Sequence, residues 1–143
     1  MVTFETSIYV ERHPQDVFEF IQNLDNNPYW RDPHSLTEIV TPEIKGVGAQ
    51  LKTIDKFLGR QIESLVEITC WEPPHRLAQR TINGPVPFEH RIELYSHKQG
   101  TNLTISGQAE FSKLFSLAGP VIRSLLLKRL NQDLGRLKST LEQ

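Results

Sequence analysis

Gln79 and His90 are the two polar residues of this chain whose placement suggests chemistry. They fall in the runs RLAQRTI and FEHRIELYS, which read as strands bounded by turn signals. If the two strands pair through NGPVPF, Gln79 lies beside His90, both on the apolar face, with Ile68 and Ala109 as flanking neighbours. An unpaired buried polar group costs roughly 1 to 3 kcal/mol, so the two must bond each other, water or a ligand oxygen. Three roles follow: a mutually satisfied pair without function, a pair that orients a ligand, or general acid or base work by His90. The last needs a second group to fix the imidazole tautomer. His90 is therefore the one catalytic candidate, and no catalytic residue is assigned.

The other reactive residue types have plainer readings. Asp55 shares the inward parity but stands beside a hairpin turn, where a rim position explains it. Cys70, inward among apolar neighbours, reads as an inert core thiol rather than a nucleophile. His13, His34, His75 and His97 lie in turns or at element ends without the spacing of a metal site, so no metal is expected. Neither a G-x-S-x-G elbow nor a phosphate loop is present, and no cofactor is expected.

The whole chain bounds the function further. Its 143 residues suit one domain over 1–143, and a net charge of -1 lacks the basic excess that nucleic acid requires. A single cysteine, no apolar run of about 20 residues and no leader-like N-terminus point to a cytoplasmic protein.

The elements that must position these groups can be read in order. VTFETSIYV alternates as a first strand, and HPQDVFEFIQNL follows as a short helix opened by Pro14. DNNPYWRDP holds at most one more helical turn, with Trp30 as its large anchor. Six strand-like runs follow, and then a leucine-rich segment ends the chain. Tight turns at Leu58–Gly59, within WEPPHR and at Gln99–Gly100 all keep one mainly apolar face. Trp71 falls on the wet face of this scheme unless a bulge turns it inward.

A stripe of Leu114, Ala118, Val121, Leu125, Leu130, Leu134, Leu137 and Leu141, with Ile122 and Leu126 alongside, marks a long C-terminal helix that Gly119 and Pro120 start or kink. Arg123, Lys128, Arg129, Gln132, Asp133, Arg136 and Lys138 fall largely on its other side. That basic face is read as solvated, with transient contact to an anionic membrane as the sharper alternative. The expected fold is α+β: a seven-stranded antiparallel curved sheet wrapped round the long helix, with two short helices between strands 1 and 2. One helix cannot fill so wide a concave face. The small inward residues Ala49, Gly107 and Ala109 leave room for a pocket.

I-x-V-x-x-x-P-x-x-V-F-x-F-I (Ile8 to Ile21), Y-W (Tyr29, Trp30), G-x-G (Gly46, Gly48), W-E-P-P-x-R-L (Trp71 to Leu77), G-T-x-L (Gly100 to Leu103) and D-L-x-x-L-K (Asp133 to Lys138) stand in order along the whole chain. Together they resemble the START-like, Bet v 1-like (SRPBCC) superfamily, and within it the polyketide cyclase/dehydrase and lipid-transport branch. The resemblance implies a helix-grip fold with a hydrophobic cavity and no shared catalytic residues.

The expected partner is a small hydrophobic ligand such as a lipid, a polyketide or an aromatic metabolite, bound or transported; a cyclase or dehydratase using His90 is the alternative. Leu51, Val66, Ile68 and Leu77 are expected to line the cavity from the first half of the sheet, and Ile92, Leu94, Ile105 and Phe111 from the second. Leu125 and Leu126 would line it from the helix. Gln79 and His90 would orient a polar end of the ligand. Trp30, with Tyr29 and Phe20, either caps the mouth or packs the short helices.

Overall fold

The structure is a computed structural model describing residues 1–143. Its elements follow the expected order: β1 (Val2–Val10), α1 (Pro14–Gln22), a 3-10 turn (Leu24–Asn26), α2 (Asn27–Trp30), β2 (Leu36–Ile39), β3 (Gln50–Phe57), β4 (Arg60–Glu72), β5 (Arg76–Asn83), β6 (Phe88–His97), β7 (Gly100–Ala109) and α3 (Gly119–Leu141). All seven strands form one antiparallel sheet in the order β1-β7-β6-β5-β4-β3-β2. The pairing of β1 with β7 brings the chain back on itself, and α3 lies across the concave face against β1 and α2.

The β3–β4 hairpin has the expected register, with Leu51 opposite Val66 and Asp55 opposite Ile62. Leu58 and Gly59 both take positive φ, +51° and +79°, as a two-residue hairpin turn matched to strand twist requires. Two other turns differ from expectation. The β6–β7 turn is Lys98–Gln99, with Lys98 at φ +54°, so Leu94 faces Leu103 and Ile92 faces Ile105, two places from the anticipated register. A shift of two preserves the inward parity.

At the β4–β5 turn, Glu72 pairs with Arg76 and Trp71 with Leu77, one place from expectation. A bulge between Ile68 and Cys70 absorbs the extra residue, and Ile68 still faces Gln79. The bulge exchanges the faces of two side chains. Trp71 turns inward, its ring edge-on to Phe18 at 5.4 Å. Cys70 turns outward, half-buried, and its thiol donates to the Glu72 carboxylate at 3.5 Å, which corrects its expected place in the core.

Helix α3 begins at Gly119, with Pro120 in its first turn, so Leu114 and Ala118 precede it. Ile122, Leu134, Leu137 and Leu141 are buried along it. Val121 is exposed instead of forming part of the stripe, and Asp133, expected on the polar side, is buried.

The buried apolar residues fall into three separate groups instead of one contiguous core. One joins Val10, Phe18, Trp30, Leu94, Leu103 and Leu137; a second gathers around Phe57, Val86, Phe111 and Ile122; a third is Ala49, Leu51, Val66 and Ile68. A cavity lies between them.

Candidate functional site: a cavity under the C-terminal helix

The cavity has a volume of about 350 Å³ and is walled mainly by apolar side chains of the sheet, α1, α2 and α3. Among its lining residues, Gln22, Ile39, Ile44 and Lys45 reach solvent. They come from the end of α1 and from β2 with the loop after it, which places the mouth between those segments.

Leu51, Ile68, Leu77, Ile92, Ile105 and Phe111 line the cavity from the sheet, as do Leu126 from α3 and Trp30 from α2. Val66 and Leu94 do not line it: they are 0% and 1% exposed, Val66 packed among residues of the neighbouring strands and Leu94 in the group that joins the sheet to the helices. Leu125 points toward the group around Phe57 and Ile122. Trp30 lines the cavity and is buried in the core group with residues of α1 and α3; Tyr29 is 62% exposed and Phe20 only borders the core.

Gln79 and His90 are cross-strand partners that both line the cavity. On its other side His90 faces Gly107 instead of Ala109, a consequence of the shifted β6–β7 turn. Gly107 matters here because a Cβ at this position would stand 2.8 Å from the His90 Cα, so only glycine permits the close strand approach. The imidazole stacks on Phe88 with centroids 5.8 Å apart. It is not hydrogen-bonded to Gln79, and its Nδ1 is buried without any partner. What surface it has faces the enclosed space. Burial, reinforced by the positive charge of Arg31 and partly offset by Asp55, pushes its pKa down to about 4, so the ring is neutral at pH 7.

Opposite this wall stands a set of charges, of which Arg129, Asp133 and Arg136 were expected on the polar side of α3. Asp133 of α3 is 3% exposed. It accepts a hydrogen bond from Arg136, and its second oxygen stands 3.8 Å from Arg31 Nε. Burial raises its pKa despite the arginines around it. Arg129, one helical turn earlier, donates to the Lys56 carbonyl at 2.8 Å, Ser35 Oγ at 2.9 Å and Asp55 Oδ1 at 3.1 Å. Asp55 is thus a cavity-wall residue clamped to the helix, not a bare rim carboxylate. Thr53 and Ser64 add two buried hydroxyl side chains from β3 and β4. Arg31, Asp133 and Arg129 escaped sequence reading because an isolated charge near an apolar stripe ordinarily faces water. The i, i+4 spacing of Arg129 and Asp133, next to Leu130 and Leu134, was the one available signal.

Comparison with known proteins adds the family. The profile of the polyketide cyclase/dehydrase and lipid transport family matches residues 1–142. The chain belongs to this family. Among functionally curated proteins, none has significant sequence similarity to it. The fold matches a START superfamily protein from Mycobacterium smegmatis, with a TM-score of 0.82, 14% identity and coverage of 98% of this chain and 97% of that one. It also matches a conserved protein from Geobacillus kaustophilus, with a TM-score of 0.80, 14% identity and coverage of 99% and 95%. For Ara h 8.0201 the TM-score is 0.72 at 15% identity, covering 97% and 96%. At such identities the likeness concerns the fold, which is that of the START-like and Bet v 1-like proteins. No helix is long and apolar enough to cross a membrane. Family and fold together fit a hydrophobic ligand-binding or polyketide cyclase-like protein.

Proposed function

We propose that this member of the family binds a small, mainly apolar molecule in the cavity beneath α3, holding or carrying it. The observation that carries this reading is the division of the apolar core into three groups around a space of about 350 Å³. An unfilled apolar space forfeits dispersion contacts, and larger apolar side chains at the lining positions Ala49 or Ala109 would have closed it if packing alone mattered. At the packing density of protein interiors the space accepts roughly 260 Å³ of molecular volume, the size of a chain of about ten carbons or a bicyclic aromatic. Burial of roughly 300 Å² of apolar ligand surface contributes about 7 kcal/mol at 25 cal/mol per Å², before the entropic costs of association. Micromolar to millimolar affinity is expected.

Gln79 and His90 form a polar strip on the otherwise apolar floor. The absence of a carboxylate or carbonyl on His90 Nδ1 favours binding over acid–base chemistry, since nothing in the protein fixes the tautomer. The test is native mass spectrometry of protein purified without detergent, followed by Nile red titration. A retained hydrophobic adduct, or saturable Nile red binding that Leu126→Trp removes, supports the reading; a bare mass with no saturable binding overturns it. Turnover of a retained ligand that His90→Ala abolishes without loss of binding would instead establish the cyclase-like alternative.

A further inference from the structure

Four buried polar atoms lack a hydrogen-bond partner, and all four belong to residues lining the cavity: Trp30 Nε1, Arg31 Nε, Thr53 Oγ1 and His90 Nδ1. Buried polar groups are ordinarily paired, so this concentration in one cavity needs an explanation. Trp30 Nε1 and Arg31 Nε can only donate, whereas the Thr53 hydroxyl and the neutral imidazole can each donate or accept. The wall has a surplus of donors. What it lacks is an acceptor oxygen.

The surrounding charges indicate the kind of oxygen. Arg129 donates three hydrogen bonds, to Lys56, Ser35 and Asp55. Arg136 donates to Asp133 and to the Trp30 carbonyl. Arg31 differs from both. Its guanidinium donates no hydrogen bond to the protein, its Nε is 3.8 Å from an Asp133 oxygen, and its guanidinium carbon lies 5.3 Å from the centroid of the Trp30 ring. At 3.8 Å the ion pair is too long to be a hydrogen bond. Asp133 already serves Arg136, so it does not neutralise Arg31 fully. Arg31 also acts on His90, whose ring stays neutral and does not compete for an anion.

We infer that the ligand is a monocarboxylate, with its apolar body among Leu51, Ile68, Phe88 and Ile105 and its carboxylate accepting a hydrogen bond from Arg31, with Trp30 Nε1 as the neighbouring donor. This rests on the cavity being a binding site, and it adds the chemistry of the head group. The planar guanidinium suits a carboxylate better than a hydroxyl or an ester carbonyl, because a charge-assisted bond is roughly twice as strong as a neutral one.

The experiment displaces Nile red from the wild type, Arg31→Gln and Arg31→Lys with decanoate, 1-decanol and methyl decanoate at pH 7.5, with circular dichroism melts confirming the fold. Decanoate is expected to bind the wild type at least tenfold more tightly than either neutral analogue. Arg31→Gln should abolish that preference while leaving 1-decanol affinity within about twofold, and Arg31→Lys should retain part of it. Equal wild-type affinities for decanoate and 1-decanol, or a preference that persists in a folded Arg31→Gln, overturn the inference and leave the cavity reading intact. Failure of Nile red and all three compounds to bind overturns both. If Arg31→Gln does not fold, the wild-type comparison decides.

Discussion

His90 links the cavity to the stability of the fold in a way that can be titrated. Its pKa lies at about 4 in the folded protein, against 6.5 for an unburied histidine. A depressed histidine pKa means that the unfolded chain binds the proton more readily than the native one. Its contribution is therefore fully present above pH 6.5 and is lost as the pH falls toward 4. At 1.36 kcal/mol per pKa unit the whole difference is roughly 3 kcal/mol, of which about 2 kcal/mol is lost between pH 7.5 and pH 5. Titrating carboxylates also move stability over this range, so the informative quantity is a difference. Urea denaturation of wild type and His90→Gln at half-unit intervals from pH 7.5 to 4.5 gives it, because the carboxylate contributions largely cancel. The wild type should lose about 2 kcal/mol more than the variant by pH 5. A flat difference curve would mean that water or bound ligand solvates the imidazolium. The claim that His90 faces an apolar, poorly hydrated space would then be wrong.

Other expectations concern packing and the helix clamp. Leu137→Ala truncates a side chain that is 0% exposed between α3 and the sheet and should cost about 2 to 5 kcal/mol in urea denaturation, whereas the equally apolar but cavity-lining Leu126 should tolerate alanine at below about 1.5 kcal/mol. Arg129→Met removes three hydrogen bonds and leaves Asp55 without its cation, so a loss on the order of 2 to 3 kcal/mol is expected in the same assay. Gly107→Ala should destabilise by about 1 to 3 kcal/mol and shift the amide resonances of His90 and Glu89, since the added carbon would press on the His90 backbone.

Much of the fold was legible because period-two alternation reports which face is buried without requiring the turn to be known. The β6–β7 turn shows why. Gln99–Gly100 is an attractive turn pair, yet the chain turns at Lys98–Gln99 and leaves Gly100 in β7, where a Cβ would meet Tyr9. The resulting slip of two residues changed every cross-strand partner between β6 and β7, that of His90 included, yet left every inward residue inward. Bulges are less visible, since they change parity within a run. Trp71 betrayed the one near Cys70 only by being a large aromatic on a wet face. Cys70 gave no comparable sign, being small and apolar enough for either side.

The floor of the cavity was similarly readable, and its polar wall was not, for a physical reason. Alternation identifies a residue that faces inward, but it cannot distinguish a residue that packs from one that looks into a space. Leu94 and Ile105 carry similar signals, yet one is sealed by helices and the other borders the cavity. Charged residues invert the problem. Periodicity assigns Arg129 and Asp133 to water because ion burial is costly, and the assignment fails where a buried carboxylate and half-buried arginines offset one another. Asp133 is tolerable beside Arg136 and Arg31, as Arg129 is beside Asp55, Asp32 and Ser35. Replacing such a cluster by well-packed apolar residues is often neutral or stabilising. Its presence under α3, beside a cavity that already lacks filling side chains, is therefore poorly explained by stability. It is better explained by a polar group that enters from outside, for which the Arg31 guanidinium stands without a hydrogen bond to the protein.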